Sequence, residues 1–115
     1  ILDTLQLRLL EKIRSDLAGY SVVRSTSPLD NRAIWLEIFA GGIHKGNSCQ
    51  ALLKKLNINC KEVAGLGNDY NDIDFLDICA EAYLVANAPV NLQRHYKLVK
   101  SDKEEGFTEF ISKVL

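Results

Sequence analysis

The feature that most constrains how this chain can fold is the alternation of short apolar segments with helix-like segments from Ile43 onwards. Val63–Gly67, Ala82–Val85 and Leu98–Val99 are apolar and short enough to be buried strands, and segments with helical spacing separate them. Alternation with short connections is typical of right-handed parallel βα units. Residues 43–115 are therefore predicted to form an α/β layer, in which helices flank a Rossmann-like parallel sheet.

The helices of this part are predicted from apolar residues that recur at helical spacing. Asn47 or Ser48 is expected to cap the first helix, because a short polar side chain can accept from the unpaired N–H groups there. Later helices are expected to begin near Asn71 and at Lys103. A further helix is expected from Pro89, which fits a first helical turn, to about Tyr96. The residues expected to face the core are Cys49, Leu52, Leu53, Leu56, Ile73, Leu76, Ala80, Phe107, Phe110, Ile111 and Val114.

The first 42 residues have a different pattern, with one helix and two strands around a turn, which is typical of an α+β arrangement. Gly19 is expected to end the helix, and the Gly41-Gly42 pair is expected to end the last strand. We place a domain boundary there, between residues 1–42 and 43–115. The predicted elements are a helix over Asp3–Ala18, a strand over Tyr20–Ser25, a turn over Ser27–Asn31 and a strand over Ala33–Phe39.

Composition excludes several classes of function. The 115 residues carry 14 Lys and Arg against 15 Asp and Glu, so no excess of positive charge is available for binding nucleic acid. No apolar run approaches the roughly 18–20 residues that span a bilayer, and no signal peptide is visible. Cys49, Cys60 and Cys79 show no CxxC spacing, so we interpret them as reduced, partly buried thiols of a cytoplasmic protein.

The densest polar cluster is Gly65–Asp72, which follows a predicted buried strand and opens a helix. Ligands of open α/β sheets bind beyond the carboxyl ends of the strands, which is where this cluster is predicted to lie. Its carboxylates and amides favour a hard cation such as Mg²⁺, which prefers oxygen ligands. The alternative is that these residues only form a turn and cap a helix. A dinucleotide site is excluded, because Tyr70 stands where a third glycine is needed.

Two further segments join a strand end to a helix start. Gly41–Asn47 places Lys45 immediately before a predicted helix, a combination that suits a phosphate group, although most such lysines are simply solvated. Val85–Pro89 carries Asn87, for which a loop and helix cap is a simpler interpretation than contact with a substrate.

Together these segments resemble the motifs of the haloacid dehalogenase-like (HAD) superfamily, and within it the Cof-type sugar phosphatases with a C2-type cap. Ile43–Gly46 is similar to the family's third motif, and Gly67–Ile73 (GNDYNDI) to its fourth, GDxxND. Val85–Ala88 is similar to a conserved strand end, and Glu104–Phe107 to the family's C-terminus. The four segments occur in the family's order, and the resemblance extends from about residue 20 to residue 115.

The resemblance implies a Mg²⁺-dependent phosphatase that acts through an aspartyl-phosphate on a sugar phosphate or similar small metabolite. By motif position, Lys45 would be a catalytic residue that also pairs with the phosphate and the nucleophilic carboxylate. Asn71 and Asn87 would help to bind the substrate. Asn68, Asp69 and Asp72 would hold the metal, with Asp72 also catalytic. The fold implied is the C-terminal half of a HAD core, preceded by the remains of a cap.

The sequence departs from the family at two points. Asn68 stands where the family has a metal-binding aspartate, and an amide brings no negative charge to the metal. The first motif, which carries the nucleophilic aspartate, has no counterpart among the 115 residues. We therefore expect that the chain holds half of an active site and needs an N-terminal half of the same protein or a partner chain. The alternatives are a non-catalytic binding module and a subunit that completes its sheet with another chain.

Overall fold

The computed structural model describes residues 4–30 and 32–115, so the predictions for Asp3 and Asn31 lie outside the described residues. The chain divides into two compact units, Ile1–His44 and Lys45–Leu115, and the division falls two residues after the predicted boundary. The interpretation of the first unit as the remains of a cap stays a prediction. None of the helices in the two described ranges is long and apolar enough to cross a bilayer.

The first unit contains the one helix and two strands that the sequence predicts, and the strands pair antiparallel. Helix α1 spans Thr4–Asp16, and strands β1 (Tyr20–Thr26) and β2 (Ile34–Ala40) pair along their whole length. The turn between the strands is built by short polar side chains. Ser27 Oγ accepts hydrogen bonds from the backbone N–H groups of residues 29 and 30, at 3.2 and 3.3 Å.

The second unit is built on a parallel sheet of three strands. They are β3 (Ala64–Gly67), β4 (Glu81–Val85) and β5 (Lys97–Val99), and their order in the sheet is β3-β4-β5. This confirms the predicted α/β layer. All three strands end at the same edge of the sheet, so the segments that follow them meet there.

The helices of this unit are α2 (Lys45–Leu56), α3 (Ile73–Leu76), α4 (Val90–Gln93) and α5 (Gly106–Val114), and 3₁₀ turns precede α3 and α5. The predicted caps of α2 are wrong, because this helix already begins at Lys45 and Asn47 and Ser48 lie inside its first turn.

Two other predicted helix bounds are also corrected. Helix α4 ends at Gln93, short of Tyr96, whose hydroxyl instead donates to Asp77 Oδ1 at 2.8 Å. Helix α5 begins at Gly106 rather than Lys103, because Glu105 takes a left-handed conformation (φ 64°) that separates the preceding 3₁₀ turn from the helix.

The core lies against the sheet and is formed by Leu76, Tyr83, Leu84, Val85, Ala88, Leu92, Val99 and Phe110. Several residues predicted to face it do not. Leu52 and Leu56 are each 55% exposed, Phe107 is 65% exposed, and Ala80 is exposed as well. Cys60, which was predicted to be partly buried, is also exposed. The reason is geometric. Among the described elements, α2 packs mainly against α3 rather than on the sheet, and helical periodicity marks a broader apolar face than that contact covers.

Candidate functional site

The candidate site lies where β3 ends and α2 begins. Gly67 is the last residue of β3, and residues 68–72 form the loop and 3₁₀ turn that follow it. Lys45, the first residue of α2, forms an ion pair with Asp72 Oδ1. The structure therefore brings together two predicted catalytic residues that are 27 positions apart in the sequence.

Asp72 is held by several donors at once. Its side chain is only 8% exposed, whereas that of Lys45 is 53% exposed. While Lys45 occupies Oδ1, Asp72 Oδ2 accepts hydrogen bonds from the backbone N–H groups of Asn68 and Asp69, at 2.8 and 3.3 Å. A buried carboxylate needs such partners, because unpaired burial of its charge would cost several kcal/mol (about 3–5). The carboxylate is thus fixed in one orientation, and the half-exposed ammonium is the part of the pair that solvent can reach.

The loop between β3 and α3 is closed by its own side chains. Asp69 Oδ1 accepts from the N–H of Tyr70 at 2.8 Å, which caps the 3₁₀ turn, while Asp72 bonds back to the N–H of Asp69. The hydroxyl of Tyr70 donates to Asn91 Oδ1 at 2.7 Å and so ties this loop to α4. The turn and capping role that the sequence left open is therefore real, and the same residues also surround the Lys45–Asp72 pair.

Gly67 makes room for the carboxylate. A Cβ atom at this position would lie 2.8 Å from Asp72 Cβ and 2.9 Å from Leu76 Cδ1, distances at which one of the atoms must move. The absence of a side chain therefore lets Asp72 fold back over the end of β3, where it meets the N–H groups of the loop.

The other predicted site residues differ in their surroundings. Asn68 has an exposed side chain, and Asn71 is half-buried in the 3₁₀ turn. Asn87 lies after β4, where its side-chain Nδ2 donates to Asp102 Oδ1 at 2.8 Å and its Oδ1 accepts from the N–H of Asp102 at 3.2 Å. Both ends of this amide therefore join the end of β4 to the 3₁₀ turn at 102–104. Contact of Asn87 with a substrate stays a prediction.

The predicted metal ligands do not form a complete metal site by themselves. Within residues 4–30 and 32–115, no group of three His, Cys, Asp or Glu side chains is placed to hold a metal ion. Only two of the three predicted ligands, Asp69 and Asp72, are carboxylates, and both oxygens of Asp72 also accept from protein donors. Asn68 offers an exposed amide oxygen, and Asp69 a half-buried carboxylate. A Mg²⁺ ion would need further oxygen ligands from outside the described residues.

Sequence reasoning missed the pairing of Lys45 with Asp72. It assigned both residues to the site but expected Lys45 to face a phosphate and a nucleophilic carboxylate. The only sequence signal for this ion pair was two opposite charges, one at the start of a helix and one after the end of a strand. This signal could not predict the pair, because contact between residues 27 positions apart depends on how α2 packs beside α3.

The comparisons with known proteins agree with this geometry. A sequence profile of the haloacid dehalogenase-like hydrolases matches residues 4–111. The chain belongs to this family. A candidate phosphatase of Streptococcus pyogenes is 27% identical over 95 residues, which are 82% of this chain and 33% of that protein. The chain spans about a third of the length of the curated relatives it matches.

Solved structures of HAD proteins share the fold. A haloacid dehalogenase-like hydrolase of Bacillus subtilis superposes with a TM-score of 0.79 at 19% identity, over 100% of this chain and 39% of that one. A sugar phosphatase of HAD subclass IIB superposes with a TM-score of 0.75 at 16% identity, over 90% of this chain and 38% of that one. This HAD chain thus has the Rossmann-like sheet that the sequence motifs predict.

Proposed function

We propose that this chain supplies the C-terminal part of a phosphatase active site, which hydrolyses a sugar phosphate or a similar small phosphorylated metabolite in the cytoplasm. The observation that carries the proposal is the Lys45–Asp72 pair at the carboxyl end of β3, within the family's third and fourth motifs. Membership of a hydrolase family, and similarity to a candidate phosphatase, support the reaction class.

The residues of the chain have distinct roles in this proposal. Lys45 presents a half-exposed ammonium, which would bind a phosphoryl oxygen and neutralise charge as it develops. Asp72 would hold that ammonium in place, so that little reorganisation is needed when the substrate binds. Asn71, and Asn87 if it releases Asp102, would donate hydrogen bonds to the substrate.

A magnesium ion would neutralise negative charge on the phosphoryl group when bound. Asn68 and Asp69 are the residues of this chain with oxygen atoms suited to contact it, and the remaining ligands would come from elsewhere in the protein. Asp72 would then contribute to the metal indirectly, through its hydrogen bonds to the backbone N–H groups of both residues.

The nucleophilic aspartate of the family would come from an N-terminal half of the same protein, or from a partner chain. The curated relatives are about three times as long as the matched region, which supports this division. Strand β3 is an edge strand of the described sheet, so its free edge could accept a strand that carries the nucleophile.

The test compares the 115 residues with an extended protein, defined as the same chain continued upstream of Ile1 in its reading frame. The first measurement is the intact mass of the parent protein, since a mass above 12.9 kDa shows that it contains further residues. We expect the extended protein to hydrolyse sugar phosphates, to lose activity with EDTA and to regain it with Mg²⁺. Turnover by the 115 residues alone would contradict the division of the site.

One observation favours a second function. Asn68 brings no charge to the metal position, and both oxygens of Asp72 are already engaged, which would suit a module that binds a phosphorylated ligand without hydrolysing it. The same comparison decides between the two functions. A parent protein of 12.9 kDa that binds phosphate but releases none from its esters would support the binding module.

A further inference from the structure

Gly46 lies in the first turn of α2 and is buried, although Lys45 and Asn47 on either side are exposed. A Cβ atom at this position would lie 2.5 Å from the carbonyl oxygen of Asp74 and 2.9 Å from its carbonyl carbon. An ordinary contact needs about 3.4 Å, so a methyl group would force α2 and α3 apart by about 0.9 Å.

The obstacle cannot move aside by a side-chain rotation, because the nearest atom belongs to the backbone of Asp74. Asp74 is the second residue of α3, and Asp72 precedes this helix as its N-cap residue. Lys45 is the residue directly before Gly46. A displacement at this contact is therefore passed to both members of the Lys45–Asp72 pair.

We propose that Gly46 is a positioning residue, which sets the distance between the Lys45 ammonium and the Asp72 carboxylate by letting the start of α2 lie against the Asp74 carbonyl. Its effect on turnover rests on the proposed phosphatase function, whereas its effect on the ion pair does not. Gly46 itself touches no reacting group.

The alternative is that Gly46 has no packing role and is simply one residue of a helix. Alanine is a better helix former than glycine, so Gly46→Ala would then stabilise α2 and leave the site unchanged. The two interpretations predict opposite results for one methyl group. Gly19 provides a matched control, because a Cβ atom there would meet nothing within 4 Å.

The first experiment measures phosphatase kinetics of the extended protein. We expect Gly46→Ala to lower kcat/KM about 100-fold, the loss that a misplacement of roughly 1 Å can bring, and Gly19→Ala to leave it unchanged. In a Lys45→Ala background, Gly46→Ala should lower kcat/KM by less than about 3-fold more, because its effect passes through Lys45. Equal losses in both backgrounds would overturn the proposal.

The second experiment needs no enzymatic activity. The backbone N–H groups of Asn68 and Asp69 both donate to Asp72 Oδ2, so their ¹H and ¹⁵N shifts report on this carboxylate. In spectra of the extended protein, we expect Gly46→Ala to shift both amide signals and Gly19→Ala to shift neither.

The two experiments separate the proposals. Shifted amide signals in a protein without phosphatase activity would support the role of Gly46 and contradict the proposed function. An active protein in which Gly46→Ala changes neither kinetics nor the amide signals would overturn the role of Gly46 and keep the function. A Gly46→Ala chain that fails to fold would also overturn it, because the glycine would then serve the fold as a whole.

Discussion

At the scale of single residues, Asp72 connects the stability of the second unit with its chemistry. One carboxylate accepts from two backbone N–H groups and from Lys45, and it lies almost wholly out of solvent. The partners of the pair are unequal, because Lys45 can turn to solvent whereas the loop cannot rearrange without losing its hydrogen bonds. Replacing Asp72 and replacing Lys45 should therefore lower the free energy of unfolding by different amounts.

Replacing Asp72 by alanine is expected to destabilise the chain by about 2–4 kcal/mol, because it leaves two backbone N–H groups and an ammonium without their acceptor. Lys45→Ala is the matched variant and should cost less, about 1–2 kcal/mol, since Asp72 then loses one charged partner but keeps both of its backbone N–H donors. Urea unfolding of both variants measures the difference. Equal losses would mean that Asp72 acts on stability only through the ion pair.

The three cysteines differ in their surroundings, and Cys79 should be the least reactive. Burial raises the pKa of the Cys79 thiol from 9.0 to about 11, with smaller contributions from Cys49 and Cys60. A pKa that is two units higher leaves about 100-fold less thiolate at pH 8 than an unshifted cysteine has, and the thiolate is the reactive form. Its Sγ also donates to the carbonyl of Phe75 at 3.3 Å.

We expect a thiol reagent at pH 8 to modify exposed Cys60 first and Cys79 last. Mass spectrometry of digested samples over time gives the order. Modification of Cys79 before Cys60 in folded protein would contradict the prediction.

The raised pKa of Cys79 also links stability to pH. The folded state favours the protonated thiol, so the thiol's contribution to the free energy of unfolding is complete below pH 9 and is lost as the pH rises from 9 towards 11.

At the scale of elements, helix α5 shows that one face of a helix is not uniformly buried. Phe110 is 7% exposed and its ring meets that of Tyr83 edge-on, with centroids 5.4 Å apart. Phe107, one turn earlier, is 65% exposed. The two residues have the same side chain on the same helix, so they form a matched pair for measuring the value of burial.

Phe110→Ala is expected to lower the free energy of unfolding by about 3–5 kcal/mol, because it removes a ring from the core and an aromatic contact. Phe107→Ala should change it by less than about 1 kcal/mol. Chemical denaturation followed by circular dichroism is suited to both variants. A loss at Phe107 as large as that at Phe110 would show that Phe107 is buried in solution, for example by a second chain.

The same comparison explains which parts of the fold could be predicted from the sequence. The strands and their parallel arrangement were predictable, because short apolar segments alternate with helices and the connections are short. The exposure of Leu52 and Phe107 could not be predicted, because helical periodicity identifies an apolar face but not what covers it. The start of α2 was also missed, because Asn47 and Ser48 are residue types that usually cap a helix but here lie inside its first turn.

For the candidate site, the sequence predicts which residues take part but not the contacts between them. Lys45 and Asp72 could be selected from the sequence, because charged and polar residues after a buried strand point to the functional edge of an α/β sheet. Their ion pair could not, nor could the reciprocal hydrogen bonds of Asn87 with Asp102. These contacts join residues 27 and 15 positions apart in the chain and depend on how the segments that carry them pack together.

At the scale of the whole molecule, the sheet of the second unit has an unprotected edge. Strand β3 has β4 on one side and no strand of the described residues on the other. Its sequence, AGLG, contains no charged residue or proline, the features that usually keep an edge strand from pairing with another chain. The exposed Leu52 and Leu56 on α2 offer a second apolar surface, which could also draw chains together.

The 115 residues alone are expected to self-associate, because the free N–H and C=O groups of β3 can pair with those of another chain. Sedimentation velocity over a wide range of concentrations would detect this. A double variant, Leu52→Lys with Leu56→Lys, makes the helix surface polar and leaves the strand edge untouched. We expect the double variant to associate as strongly as the original chain.

The extended protein should remain monomeric, since a strand from its N-terminal half would occupy the edge. A monomeric double variant would instead assign the association to α2, and an extended protein that associates as strongly as the 115 residues would show that the edge stays free.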